Sequence, residues 1–506
     1  MKKKLGKIIT SENTPSTTEF LFVIDNPQVK KGQYVEVDSD GQKFFGYVSE
    51  IVKSNRYFEK AESVAEYERS GSINEKFPLD SWEYSIANVR LLGCFKDGGF
   101  VRSFIPPSPG SDVFDAEPET LKKFLGFEDG ELEIGDIEHH DVKASISMTR
   151  LFQKHAAILA MSGAGKSYLM SVILEELLDR PKEKGRVAVV VVDIHGEYLG
   201  FKYDPRYGAV TKVVDGKGIM VPLKKIPPAY MQEWLPNLSP VQREVLSDAL
   251  NTLRNKKKKA GDKYYSMKEL AEAIDSSEKT GDAKSKLALK RALGSLNALR
   301  FITTNKENPR LISDIKPGHL LILDFSTIDD LRKKQILVSL FARKLFKLRK
   351  KEKIPPFVLV IEEAHNFARE NAEVSEAISR SVIETIAREG RKFGASLCLI
   401  SQRPVNLSTT ALSQCNTHII MRITNPNDLE HIQMSSEGID ARITKSITGL
   451  KVGEAIIVGE AVNYPTFIRV RKRKSEKREK GKPLHEQAIE FENNERKKEE
   501  GVEAFL

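Results

Sequence analysis

Apolar positions follow two different patterns along the chain. From Lys7 to about Arg102, short β-branched and aromatic stretches (EFLFVIDN, GQYVEVDSDGQKFFGYVSEI, NVRLLGCF) alternate with turn residues. That spacing predicts a small barrel. After His155, continuous apolar runs (HAAILAM, RVAVVVVD, HLLILDF, PFVLVIEE, ASLCLIS, THIIMRI) alternate with amphipathic helical segments. Strands that are apolar on both faces belong to a parallel sheet covered by helices, so the fold class is α/β. Roughly between Pro222 and Asn305 only helical periodicity occurs (PVQREVLSDALNTLRN, SMKELAEAI, AKSKLALKRALGSLNAL), which predicts a helical insertion in the sheet domain. The expected organisation is a β-barrel over 1–110, a connector with one short helix over 111–150, and an α/β core over 151–221 and 306–460. The insertion spans 222–305 and a charged tail 461–506.

Composition narrows the setting. Lys and Arg outnumber Asp and Glu by 80 to 71, a net charge of +9, which suits a polyanionic partner. Cys94, Cys398 and Cys415 form no C-x-x-C spacing, so neither a disulfide framework nor a zinc site is expected. The opening MKKKLGKIITSENTPSTTEF lacks an apolar leader, and no stretch approaches ~18 uninterrupted apolar residues. A cytoplasmic protein with no membrane span is expected. The segment RVRKRKSEKREKGKPLHEQAIEFENNERKKEE reads as a solvated tail, with the terminal GVEAFL as an alternative anchor on another surface.

Residues 160–167, AMSGAGKS, follow an apolar strand and precede the helical run SYLMSVILEELLDR. This is the context of a phosphate-binding loop, whose backbone N–H groups converge at a helix N-terminus. Ser162, Gly163, Ala164 and Gly165 would line the phosphates, the glycines supplying positive φ. Lys166 would reach the β- and γ-phosphates of ATP, Ser167 would ligate Mg²⁺, and Tyr168 follows at the rim. Ala160 stands where a first glycine is usual, at a strand exit where a small side chain suffices. In PPFVLVIEEAH, Glu362 would hold Mg²⁺, directly or through water, and Glu363 would activate the attacking water. Asp193 ends VVVVD and faces the same crevice or caps its own turn. Gln402 follows ASLCLIS, within reach of a γ-phosphate. Arg380, Arg388 and Arg391 lie on or beside one helix, Arg388 being the candidate for transition-state charge, with pairing to Glu384 as the alternative.

The ordered set SGAGKS, VVVDIHGEY, VLVIEEAHNF, AREGRKFG and LISQRP resembles the HerA family of hexameric ATP-dependent DNA translocases, related to the FtsK group. The resemblance implies a RecA-like core in a six-subunit ring around duplex DNA, with the barrel on one face and a C-terminal brace on the next subunit. It also implies partnership with the nuclease NurA in double-strand break processing. By position, Lys166 and Ser167 would bind nucleotide and metal, Glu363 would be the base, Arg388 a finger acting in trans, and Lys154 a basic residue approaching a neighbour's nucleotide.

A ring of this kind binds DNA through phosphates, independently of sequence. Candidates are Arg254, Lys256 and Lys257 of RNKKKK, and Arg403 and Asn406 of the loop RPVNLSTT; for RVRKRK, Arg469 to Lys474, DNA contact and bracing between subunits are both open. A nucleotide-gated scaffold that loads a nuclease without processive movement is the alternative. A conjugation-type coupling ATPase is a further relative, but such proteins usually carry membrane spans.

Overall fold

The computed structural model describes residues 3–11, 13–55, 58, 62, 64–65, 69, 83–96, 99–260, 264–277, 282–373, 376–436, 438–476 and 485–492. The terminal GVEAFL lies outside them. Seven strands form the first sheet: β1 (Lys4–Ile9), β2 (Glu19–Ile24), β3 (Tyr34–Ser39), β4 (Gln42–Asn55), β5 (Glu83–Lys96), β6 (Gly99–Val101) and β7 (Asp112–Asp115). Their order is β2-β1-β7-β3-β4-β5-β6, and β2 pairs again with β5, closing six strands into a barrel with β6 on its outside. Alternating residues (Leu5, Phe20, Phe22, Val35, Val37, Phe44, Val48, Val89) fill the interior. Strand β7 falls in the span read as a connector. At four residues (DVFD) it is too short to carry a strand period, and its pairing with β1 and β3 defines it.

The second sheet has eleven strands: β8 (Leu132–Ile137), β9 (Lys143–Ile146), β10 (Ala156–Leu159), β11 (Ala188–Asp193), β12 (Thr211–Asp215), β15 (Leu320–Asp324), β16 (Phe357–Ile361), β17 (Ala395–Ser401), β18 (Thr417–Ile420), β19 (Glu454–Gly459) and β20 (Thr466–Val470). The order is β12-β15-β11-β16-β17-β10-β18-β19-β20-β8-β9. The seven strands from β12 to β18 are parallel, and the last four are an antiparallel extension. Side-chain alternation divides the core. Val190 and Val192 of β11 face the insertion and the Leu331–Lys350 helix, whereas Val189 and Val191 face the Lys166–Asp179 helix.

Within 222–305 the helices are Pro228–Trp234, Pro240–Lys259, Met267–Asp275 and Ala283–Asn297, and a two-residue pair, β13 (Val221–Pro222) with β14 (Ile302–Thr303), ties the root. Capping boxes Ser239/Gln242 and Ser266/Glu269 start two of these helices, satisfying N–H groups that a helix end leaves orphaned. No described helix is long and apolar enough to cross a membrane.

Barrel and core meet through stacked rings, Phe45 on Phe124 at 4.7 Å and Phe124 on Tyr464 at 4.4 Å between centroids. A reciprocal pair of ion bridges joins them as well: Arg90 to Asp440 at 2.8 Å and Arg442 to Glu19 at 3.6 Å.

The expectation of a solvated tail from Arg469 onward fails for its first residues. Arg471–Glu476 lie as a strap along the Lys166–Asp179 helix, because a buried carboxylate collects them. Glu175 accepts from Arg471 Nη1 (2.8 Å), Lys474 N (3.0 Å), Ser475 N (2.8 Å) and Ser475 Oγ (2.6 Å). Arg471 also reaches Glu176 at 2.7 Å. Burial pushes the Glu175 pKa up, but the Ser475 and Lys474 donors and Arg471 outweigh it, so the group titrates below the ordinary 4.5. A depressed carboxylate stabilises the fold above its unfolded pKa and loses that contribution as pH falls through the folded one. Glu175→Ala, which leaves Arg471 without its buried acceptor, should cost about 3–5 kcal/mol. Thermal or denaturant unfolding at neutral pH checks this, and the difference from wild type should shrink once the pH falls below the ordinary carboxylate range.

Candidate functional site

Four parallel neighbours, β10, β17, β16 and β11, end at one edge of the sheet, and each ends in a residue singled out by sequence. After β10 the chain turns through the phosphate loop. Gly163 has φ +77° and Gly165 φ +109°, and Gly165 is the N-cap of the Lys166–Asp179 helix. A side chain on Gly163 would meet open space, so its glycine is required by conformation. On Gly165 it would also press on Met421 at 3.2 Å. Ala160 is buried, and its N–H donates to Ser401 O at 3.2 Å. It lies outside the left-handed region, which is why alanine serves at this position. Ser162 is exposed, Ala164 buried, Ser167 half-buried and Tyr168 exposed.

Lys166 Nζ stands 3.9 Å from Glu363 Oε1, with both side chains largely enclosed. Glu363 holds φ +46°, a strained setting for a non-glycine residue. Burial raises its pKa above 4.5 and the charge of Glu197 adds to this, while Lys166, His195 and the Gln402 main chain pull the other way. Its Oε2 is buried without a hydrogen-bond partner. His365 Nδ1 lies 3.4 Å from that oxygen and 3.1 Å from Ser401 Oγ. Burial, with Arg403 and Lys166, lowers the His365 pKa to about 4, so near neutrality the imidazole is uncharged. An unpaired carboxylate oxygen beside the phosphate-loop lysine is what a general base requires.

Glu362 faces the other way. Its Oε1 accepts from Tyr198 Oη at 2.8 Å and its Oε2 from Ile194 N at 3.3 Å. Burial and the nearby charges of Asp193 and Glu197 raise its pKa well above the ordinary value. Asp193 in turn accepts from the N–H groups of Glu197 and Tyr198, both at 3.0 Å. This is the turn-capping geometry weighed above for Asp193, and it does not bring that carboxylate to the phosphate loop. Each Glu362 oxygen thus already accepts one hydrogen bond on the side of β11. Among the described residues no cluster of three or more acidic, His or Cys side chains could hold a metal alone. The sequence signal for Tyr198, His195 and Glu197 lies in DIHGEY, where strand periodicity singles out only the aspartate.

The basic candidates lie at the opposite edge. His155, just before β10, is buried with φ +62°. Its Nε2 bonds Ala387 O and its Nδ1 accepts from Leu397 N, both at 2.9 Å. Burial lowers its pKa to about 4. The imidazole thus joins Lys154 to the end of the Arg380–Glu389 helix. Lys154 pairs closely with Glu460. Arg380 is the residue bound to Glu384, at 2.7 Å, while Arg388 is 54% exposed and only 3.9 Å from that carboxylate. The cluster is separated from the phosphate loop by the length of β10, about 13 Å at 3.3 Å per residue.

Arg254 donates to Tyr265 Oη (3.0 Å) and Ile226 O (2.8 Å), and Lys257 pairs with Glu269 at 2.7 Å. Both are committed within the insertion, while Lys256 is exposed. In the loop after β17, Arg403 is exposed and Asn406 half-buried, with Asn406 O accepting from Glu370 N at 2.9 Å.

Residues 132–345 match the family model described as the central domain of helicase HerA, and residues 7–78 match the HAS barrel domain. The probable helicase MJ1565 of Methanocaldococcus jannaschii is 30% identical, the match covering 88% of this chain and 86% of that one. The DNA double-strand break repair helicase HerA of Pyrococcus furiosus is 28% identical over 90% of each. Among solved structures, VirB4 of Thermoanaerobacter pseudethanolicus aligns with TM-score 0.52 at 16% identity, covering 69% of this chain and 98% of that one. The plasmid coupling protein TrwB with ADPNP aligns at 0.50 and 13%, covering 72% and 95%. These two share the fold.

An acid whose folded pKa is raised destabilises the fold while ionised, and that cost is relieved as pH falls through the folded pKa. Glu363→Gln should therefore raise the unfolding midpoint at neutral pH, with the gain shrinking toward the ordinary carboxylate range. Differential scanning calorimetry across pH checks it.

Proposed function

The chain belongs to the HerA helicase family, and from that premise we propose that it is a ring-forming DNA translocase that hydrolyses ATP with Mg²⁺ to move along or unwind duplex DNA. The observation that carries the reading is the approach of Lys166 to Glu363 across the end of β17, 3.9 Å apart. A lysine on the phosphate loop and a carboxylate with an unpaired oxygen then face one γ-phosphate and its attacking water. The loop amides and Lys166 bind and orient the phosphates, Glu363 accepts the water proton, and Gln402, bonded to Glu363 through its main chain, lies between the two. Mg²⁺ held by Ser167 and the phosphates would neutralise charge on the triphosphate.

Arg388 and Lys154 serve the loop of a neighbouring subunit in this reading, since in their own chain they sit at the far edge of the sheet. A six-membered ring, the nuclease NurA as partner and a role in double-strand break processing complete the proposal by family resemblance. DNA contact falls to Arg403, Asn406 and Lys256, whose side chains or loop remain presented; Arg254 and Lys257 are weaker candidates because they are engaged within the insertion.

Steady-state ATP hydrolysis with Mg²⁺, with and without linear duplex DNA, tests the whole reading. Strong stimulation that disappears in Glu363→Gln is expected, with ATP binding retained. Hydrolysis indifferent to DNA would transfer the assignment to a nucleotide-gated nuclease scaffold. Lys166→Ala should lower turnover by at least about 100-fold. Rings mixed from Lys166→Ala and Arg388→Ala subunits should regain partial hydrolysis at interfaces that pair an intact loop with an intact arginine. Verified mixed rings without recovery would remove Arg388 from that role.

A further inference from the structure

The strap over the phosphate-loop helix carries a residue that neither the fold nor the hydrolytic site accounts for. Arg473 lies between the two anchors that Glu175 holds, Arg471 and Ser475, so its position is fixed. Its guanidinium is 5.9 Å from the ring centroid of Tyr168 and 6.0 Å from that of Phe201. Its backbone N–H donates to the Tyr168 hydroxyl at 2.8 Å. Nε and Nη2 donate to Ser475 Oγ at 3.2 and 2.9 Å, and Nη2 also to Glu476 O at 3.3 Å. Among the described residues, Nη1 has no acceptor and no carboxylate stands within ion-pair distance. Burial lowers the Arg473 pKa, and the more distant charges of Glu175 and Asp204 compensate in part. Nη1 is not among the buried unpaired atoms, so it is an accessible donor beside the Tyr168 ring, open to a ligand.

The direction of a bound nucleotide says which ligand that is. Lys166 and Glu363 mark the γ-phosphate end, and the amides opening the helix cradle the α- and β-phosphates. The nucleoside therefore leaves past Ser167, and the next residue along the first turn is Tyr168, 37% exposed. We propose that Tyr168 and Arg473 form the seat for the base and ribose of the nucleotide held by the same chain, which rests on reading the loop as an ATP site. A purine face stacks on an aromatic ring or a planar guanidinium, and Nη1 supplies a donor for a ring nitrogen or ribose oxygen. The C-terminal strap thereby becomes part of the nucleotide site of its own subunit.

The test compares two ligands that share phosphates and differ in the nucleoside: ATP and inorganic tripolyphosphate, each titrated with Mg²⁺ against the full-length protein. Arg473→Ala and Tyr168→Ala should each weaken ATP binding by about tenfold while leaving tripolyphosphate within about twofold. Equal weakening of both ligands would show that the strap acts through the phosphate loop, and unchanged ATP binding would show that it makes no contact; either result overturns the proposal. Lys166→Ala is the control and should weaken both ligands. If wild type bound neither ligand, or Lys166→Ala bound both normally, the ATP-site reading itself would fail and this proposal with it.

Discussion

The arrangement depends on one constraint, the insertion of β17 between β10 and β16 in a continuous parallel ladder. Each of these strands is hydrogen-bonded on both sides, so none can slide alone without breaking a row of buried bonds. The register Leu159 with Ser401, and Ile361 with Leu399, fixes where the phosphate loop, Gln402 and the carboxylate pair emerge. Lys166 and Glu363 come from distant parts of the sequence, yet their separation is set by the width of a single intervening strand. Glu363 can then be held in a left-handed conformation and partly desolvated, because the ladder and the loops around it over-determine its backbone.

Adjacent carboxylates with unlike surroundings are a second theme. Successive side chains at a strand end point to opposite sides, so Glu363 looks toward the phosphate loop while Glu362 looks toward β11. There Tyr198 and Ile194 satisfy it. Charge in the site is thereby divided. One acid keeps an unpaired oxygen beside Lys166, while its neighbour is buried near the charge of Asp193, which with burial pushes its pKa up, and shapes the wall behind it.

Much of this was legible in the sequence where strands were buried on both faces. The runs that became β10, β11, β15, β16, β17 and β18 are continuous apolar segments, and the loop glycines and strand-end acids stand out against them. The antiparallel extension was not legible. Strands β8 and β9 lie in a stretch rich in charge, and β12 (TKVVD) shows only a short run at the sheet's edge. Their pairing comes from tertiary context rather than local pattern. Orientation was equally hidden, because EE reads as two metal- or water-binding groups until the partners of each are known. The strap misled for a related reason: a basic run is solvated by default, and the single buried Glu175 that captures it sits inside an otherwise ordinary helix.

The imidazole of His155 gives β10 a property beyond holding the sheet. The strand is four residues long and paired along its whole length with β17 and β18, so it behaves as a stiff rod. An uncharged pin fastens one end to the arginine-bearing helix, and the other end is the root of the phosphate loop. Any shift of the arginine-bearing helix would therefore reach the root of the phosphate loop along this strand.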